Sequence, residues 1–158
     1  MSEEEFTRLF LLYRVSIYRI CLCSLKDPSE AEDVTQEVFL KLYTKAPVLS
    51  SDEQIKAWLI RVAVNACRDV FRSARYRLTE PIDENIGGTP ADNTEENRLL
   101  TVITQLKPTI RTVMYMYYYE DYSVREISEL LGISETAVSS RLQRGREQLK
   151  ALIEKEGL

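Results

Sequence analysis

The chain contains no histidine. That removes the commonest general base, the Ser-His-Asp and Cys-His arrangements, and every histidine-bearing metal site. Glycine is scarce: Gly87, Gly88, Gly132, Gly145 and Gly157 are the full set, and none lies in a phosphate-cradling loop or a dinucleotide pattern. Cysteine is scarcer still, with 3 in 158 residues. Cys21 and Cys23 are two positions apart, so on a helix they point about 200° from each other and cannot share a metal. Cys67 stands alone in the sequence, and buried packing thiols are the plain reading of all three. No apolar run approaches the roughly 18 residues needed to span a bilayer. The acidic opening Met1-Ser2-Glu3-Glu4-Glu5 leads straight into a periodic helix, which does not fit a signal peptide. These absences predict a cytoplasmic protein that needs no cofactor or metal, inserts in no membrane and is not an enzyme.

What is present is a normal globular mixture, 44% apolar and 29% charged, with a net charge of −4. The charge is unevenly spread. Residues 26–53 carry net −4, residues 54–78 net +5 and residues 79–97 net −6, while the rest is close to neutral. An acidic whole with one basic segment should bind nucleic acid poorly by itself. The segment Thr79–Asn97 holds two of the five prolines and two of the five glycines and reads as a flexible acidic linker. Its span is roughly 63–68 Å at full extension. It divides the chain into residues 1–78 and 98–158.

Apolar periodicity is helical throughout, so the expected fold class is all-α, two small helical domains. Phe6, Leu9, Phe10, Tyr13, Ile17, Ile20 and Cys21 form one stripe over a first helix from about Glu4 to Ser24. Ser29-Glu30-Ala31-Glu32 reads as a capping box for a second helix ending before Pro47, and Ser51-Asp52-Glu53-Gln54 as another for a third reaching about Tyr76. The third helix should bury Ile55, Leu59, Val62, Ala63, Ala66, Val70 and Ala74. After the linker, Leu99, Val102, Ile103 and Leu106 mark a short helix. Pro108 suits the first position of the next, where Ile110, Val113, Met114, Tyr117 and Tyr118 share a stripe. Tyr117 and Tyr118 are therefore expected in the core rather than as base-stacking groups.

Three constellations carry functional information. Ser123-Val124-Arg125-Glu126 is a capping box, Leu131-Gly132-Ile133-Ser134 a tight turn, and Ser134 caps a long helix to about Ile153. This is a helix-turn-helix pattern. Val138, Leu142, Leu149, Leu152 and Ile153 fall on one side of the last helix; Thr136, Ser140, Gln143, Arg144 and Glu147 fall opposite. Short polar residues followed by arginine suit base edges and phosphates in a major groove. In the third helix, Arg61, Asn65, Arg68, Arg72 and Arg75 form a stripe about 21 Å long. Trp58 sits at its edge, either packed in the core or placed to stack on an unpaired base. In the second helix, Ala31, Val34, Val38 and Leu42 face inward, and Asp33, Gln36 and Leu40 face outward, flanked by Glu37 and Tyr43. That outward face is either a protein docking surface or a solvated helix with one stray leucine.

Three stretches of this chain together resemble the extracytoplasmic-function sigma factors of bacteria. They are Glu30-Ala-Glu-Asp-Val-Thr-Gln-Glu-Val-Phe-Leu-Lys-Leu-Tyr43, Ala57-Trp-Leu-Ile-Arg-Val-Ala-Val-Asn-Ala-Cys-Arg-Asp-Val-Phe-Arg72, and Tyr122-Ser-Val-Arg-Glu-Ile-Ser-Glu-Leu-Leu-Gly-Ile-Ser-Glu-Thr-Ala-Val-Ser-Ser-Arg-Leu-Gln-Arg-Gly-Arg146. The resemblance implies a specificity subunit of core RNA polymerase that recognises promoter DNA, duplex and melted. It implies docking of Asp33, Gln36, Glu37 and Leu40 on the clamp helices of the largest polymerase subunit, with a further contact to the flap. It implies minus-ten recognition and opening by Arg61, Asn65, Arg68 and Arg72, with the loop from Lys45 to Gln54 capturing a flipped base. It also implies minus-thirty-five recognition by Ser134, Thr136, Ser140, Arg141 and Arg144, and control by an anti-sigma protein. Acidic Glu135 and Glu147 on the reading helix depart from a general phosphate grip. A stand-alone helix-turn-helix repressor and a sigma-like interaction module without initiation activity remain the alternatives.

Overall fold

A computed structural model describes residues 1–45, 48–77 and 95–156, with side chains outside 74–77, 95–98 and 156. Among the described residues there are seven helices and no strand: α1 (Glu3–Leu25), α2 (Pro28–Lys45), α3 (Asp52–Arg77), α4 (Glu95–Thr104), α5 (Pro108–Tyr118), α6 (Val124–Leu131) and α7 (Glu135–Glu156). The chain divides into two compact units, Met1–Ile86 and Gly87–Leu158. The segment Thr79–Asn97 lies outside the described residues except for its last three, which open α4.

In the first unit α1, α2 and α3 pack mutually. Ser2 starts α1 by accepting the Glu5 N–H at 3.1 Å, and Glu3, Glu4 and Glu5 place negative charge at the positive end of the helix dipole. Lys26 ends it in the left-handed conformation, its N–H on the Leu22 carbonyl at 2.7 Å. The predicted α1 core is present at Leu9, Tyr13, Ile17, Ile20 and Cys21, and Leu22 and Cys23 join it. Phe6 and Phe10 are half-buried and meet the Tyr43 and Phe39 rings edge-on at 5.1 and 5.0 Å.

Two helix starts differ from the expected boxes. Asp27, not Ser29, caps α2: its Oδ1 accepts the N–H groups of Ser29 at 2.9 Å and Glu30 at 3.4 Å, with Pro28 at the first helical position. Proline lacks the N–H that would be unsatisfied there, so the helix opens before the Ser29 box can form. At α3, Ser51 Oγ accepts the Gln54 N–H at 3.2 Å, but Gln54 Oε1 turns to the Ser50 N–H and hydroxyl at 3.0 and 2.9 Å. The α3 core includes Ile55, Leu59, Ala63 and Ala66 as expected and also Ile60, Val64 and Cys67. Val62 and Val70 are only half-buried, and the Ala74 side chain lies outside the described residues. Packing against both α1 and α2 widens and rotates the buried face of α3.

The second unit is built around α5, which packs on α4, α6 and α7. Being covered on several sides, α5 buries Tyr115 and Met116 along with Ile110, Val113 and Met114. The expectation that Tyr117 and Tyr118 lie in the core is not met: Tyr117 is half-buried and Tyr118 is exposed. A single-stripe reading fails for a helix enclosed by three neighbours. Arg111, also buried, donates from Nη1 to the Leu106 carbonyl at 3.2 Å and the Thr104 carbonyl at 3.4 Å, covering the end of α4.

Candidate polymerase and nucleic-acid interfaces

The side of α2 turned from the core is continuous and exposed. Ala31, Val34, Val38 and Leu42 are buried as predicted, joined by Thr35 and Phe39. Asp33, Gln36, Glu37 and Leu40 all stand in solvent, Leu40 at 61% exposure. Leaving a leucine that open costs burial energy of about 1.5–3 kcal/mol relative to a core site. Glu37 pairs with Lys41 at 3.4 Å, an exposed contact of little energetic weight. Tyr43 is also exposed at its edge while its ring rests on Phe6.

Beside this face α2 and α3 enclose a groove of about 370 Å³. Glu30, Asp33 and Glu37 line it from α2, Asp69 and Ser73 from α3, over a floor of Val34, Ala66 and Val70. Asp69 was not among the predicted site residues. Its signal was present in the sequence, as the one acid within residues 54–78.

The basic stripe of α3 is turned outward. Arg61, Asn65, Arg68 and Arg72 are exposed, and Arg72 lies 3.8 Å from Asp69. Arg75 is in the helix, but its side chain lies outside the described residues. Trp58 is half-buried at the margin. In the loop before α3, Ala46 and Pro47 fall outside the described residues, and Val48 is fully exposed. So open an aliphatic side chain is a feature the sequence reading of this loop did not single out.

In the second unit the turn forms as read. Ser123 and Glu126 make both hydrogen bonds of the capping box, at 3.1 and 3.0 Å. Gly132 takes φ 67° and ψ 35°, the left-handed conformation that favours glycine, and its N–H reaches the Ser128 carbonyl. Ser134 Oγ accepts the Ala137 N–H at 3.1 Å and starts α7. Val138 and Leu142 are fully buried, whereas Leu149, Leu152 and Ile153 are half-buried towards the end of the helix. Ser134, Thr136, Gln143 and Arg144 are exposed, and Ser140 and Arg141 are half-exposed. Thr136, Ser140, Gln143 and Arg144 thus share the side of α7 away from its core.

Comparison with known proteins gives both halves a family. The Sigma-70 region 2 family matches residues 9–77, and the Sigma-70, region 4 family matches residues 96–149. An α-helical region 2 body and a helix-turn-helix region 4 body in this order define a sigma factor of bacterial RNA polymerase. More narrowly, the chain belongs to the extracytoplasmic-function (ECF) sigma factors. It is 32% identical over 152 residues to the ECF RNA polymerase sigma factor SigM of Bacillus subtilis, covering 91% of this chain and 92% of that protein. It is 29% identical to SigW of the same organism, over 94% of this chain and 89% of that protein. The fold is similar to that of the sigma factor RpoE of Bartonella quintana, solved in complex with the anti-sigma factor NepR, with TM-score 0.74 and 18% identity over 96% of this chain and 98% of that one. It is also similar to CnrH, solved with the cytosolic domain of CnrY, with TM-score 0.66 and 23% identity over 98% of this chain and 90% of that one. As an ECF sigma factor the protein is a regulatory DNA-binding subunit that acts with core RNA polymerase in promoter-specific transcription initiation. No helix among the described residues is long and apolar enough to cross a membrane.

Proposed function

We propose that residues 1–78 dock on polymerase and open the minus-ten element, that residues 98–158 read the minus-thirty-five element as duplex, and that residues 79–97 join them. One observation carries this reading. A single small body exposes Asp33, Gln36, Glu37 and Leu40 on α2 and Arg61, Asn65, Arg68 and Arg72 on the adjoining α3. Acids repel DNA and an exposed leucine favours protein, so the α2 face suits the clamp helices. The arginines suit a phosphate backbone and Asn65 a base edge; Trp58 lies at the margin of the same strip, and Arg75 continues its spacing in the sequence. The segment from Lys45, the last residue of α2, to Gln54, in the first turn of α3, with Val48 in the open between them, receives an extruded base.

On α7, Ser134, Thr136, Ser140, Arg141, Gln143 and Arg144 form the duplex-reading set. Polymerase supplies most of the electrostatic grip, because the chain as a whole is acidic. The protein works in the cytoplasm, carries no catalytic chemistry of its own and is silenced by an anti-sigma partner. Support for that partner comes from the RpoE complex with the anti-sigma factor NepR.

The test is run-off transcription with core polymerase and a genomic library. Discrete transcripts that depend on the protein are expected. Tight binding of duplex by the pure protein, without co-elution with core enzyme, would indicate a repressor instead. Co-elution without any transcript would indicate an interaction module.

A further inference from the structure

Tyr117 and Tyr118 end α5 half-buried and exposed, and one residue of α7 engages both. Arg146 donates from Nε to the Tyr118 hydroxyl at 2.6 Å. Its guanidinium carbon lies 5.6 Å from the centre of the Tyr117 ring and 5.8 Å from that of Tyr118. The two rings meet edge to face at 5.0 Å and form a corner against which the guanidinium rests. The Nε bond uses one of the five N–H donors of an arginine. Among the described residues Arg146 makes no other hydrogen bond or ion pair, and it is exposed. That leaves the fork of Nη1 and Nη2, the edge that holds an anion bidentately.

The place of Arg146 on α7 says which anion. It lies roughly 60° round the helix from Gln143 and about 3 Å further along the axis than Arg144. It falls in line with Ser139, Gln143 and Lys150, at spacings i, i+4, i+7 and i+11, and all four are exposed. This strip flanks the reading side and shares Gln143 with it. A helix with its side chains is about 10–12 Å across and the major groove about 12 Å wide. When one side of such a helix faces base edges, its flank faces the phosphates of the groove wall. Glu147 weakens the phosphate grip of the reading side, and the flank adds Arg146 and Lys150. We propose that Arg146 is a phosphate contact to duplex DNA, set in advance by Tyr118, with Lys150 extending the same grip. This rests on the assignment of α7 as the duplex-reading helix. Arg146 is already ordered by the Tyr118 bond and the two rings, so less side-chain freedom is lost when phosphate binds. Tyr118 is a positioning residue that has no need to touch DNA. A tie between α5 and α7 with no DNA role would affect stability and leave affinity alone.

Holoenzyme assembled from core polymerase and the full chain selects duplex fragments from a random pool, and its affinity for them is measured over a range of salt. Arg146→Ala should weaken every fragment by about the same factor, roughly tenfold at low salt. It should also reduce the slope of log affinity against log salt by about 1. Tyr118→Phe keeps the ring and the arginine charge. It should leave that slope near wild type and weaken every fragment roughly two- to tenfold. Thermal melting of each free variant separates a folding defect from a binding loss. Unchanged affinity and slope in Arg146→Ala would make its contacts purely structural, and a loss confined to particular base pairs would make it a base reader. Either result overturns the phosphate contact. Unchanged affinity in Tyr118→Phe overturns the positioning role, and it decides the matter if Arg146→Ala fails to fold. Arg144→Ala is the control for the assignment of α7. If it too changes nothing, α7 does not read duplex DNA. If it loses affinity while Arg146→Ala loses none, only the role of Arg146 falls.

Discussion

A Cβ built on Gly145 of α7 would stand 2.5 Å from Met114 Sδ on α5 and 3.0 Å from Ile110 Cγ2. At this crossing α7 lies against the fully buried Met114 with no room for a side chain of its own. Alanine gains about 1 kcal/mol in helix propensity over glycine. It must also displace Met114, and overpacking of this kind costs about 1–3 kcal/mol. Gly145→Ala is therefore expected to lower stability by up to about 2 kcal/mol, and Gly145→Leu by more. Urea denaturation measures both. Combining Gly145→Ala with Met114→Ala should cost less than the two changes summed, because truncating Met114 opens the space.

Arg144 and Arg146 are neighbours with different surroundings. Arg146 donates from Nε to the Tyr118 hydroxyl at 2.6 Å and lies over the Tyr117 and Tyr118 rings at 5.6 and 5.8 Å. Arg146→Ala should cost about 0.5–1 kcal/mol of stability and leave base preference unchanged. Arg144→Ala should weaken upstream recognition by about 1–3 kcal/mol at the matching base pair. Binding to a panel of minus-thirty-five variants by the assembled holoenzyme separates the two. An equal loss on every sequence would make Arg144 a phosphate contact.

The α3 stripe predicts a defect in melting. Alanine at Arg61, Arg68 and Arg72 together should leave core binding intact and abolish or strongly reduce permanganate reactivity of thymines in the minus-ten region. Promoter opening unchanged by the triple substitution would remove the stripe from that role.

Leu40 predicts the opposite separation. Its side chain contributes little to folding at 61% exposure, so Leu40→Glu should leave the melting temperature nearly unchanged. If it anchors the polymerase contact, affinity for core enzyme should fall roughly tenfold or more. Competition against wild-type protein for limiting core enzyme reads that loss.

Local chemistry was legible in the sequence and enclosure was not. The Ser123–Glu126 box, the Gly132 turn and the outward α2 and α3 faces depend on residues within a few positions of one another, so spacing alone identifies them. Asp27 was overlooked because Ser29-Glu30-Ala31-Glu32 offered a competing box, and only Pro28 at the first helical position moves the start back. Tyr118 stands outside the core expected for it, and Tyr115 is buried, because burial of α5 depends on three other helices. The meeting of Asp69 with the α2 acids is a tertiary fact with no signature in periodicity.

The Arg8–Asp52 pair predicts how the first unit responds to acid. Arg8 Nη1 and Nη2 donate to the two Asp52 carboxylate oxygens at 2.7 and 3.0 Å, a bidentate tie between α1 and the first turn of α3. Tyr13 strengthens the same junction by donating its hydroxyl to the Asp52 carbonyl at 3.1 Å. The Arg8 guanidinium holds the Asp52 carboxyl below its ordinary value. A depressed folded pKa means that the contribution is fully present above the unfolded value, about 3.9, and is lost as pH falls through the lower folded value. Asp52→Asn removes the titrating charge. The stability difference between wild type and Asp52→Asn should thus be constant from about pH 5 to 7 and shrink below about pH 4. Both side chains are about half exposed, so about 1 M salt should shrink it as well. Denaturant midpoints at several pH values and two salt concentrations check both trends. A difference that stays constant in acid would mean that the charge of Asp52 contributes nothing, and that the cost of the substitution comes from geometry at the start of α3.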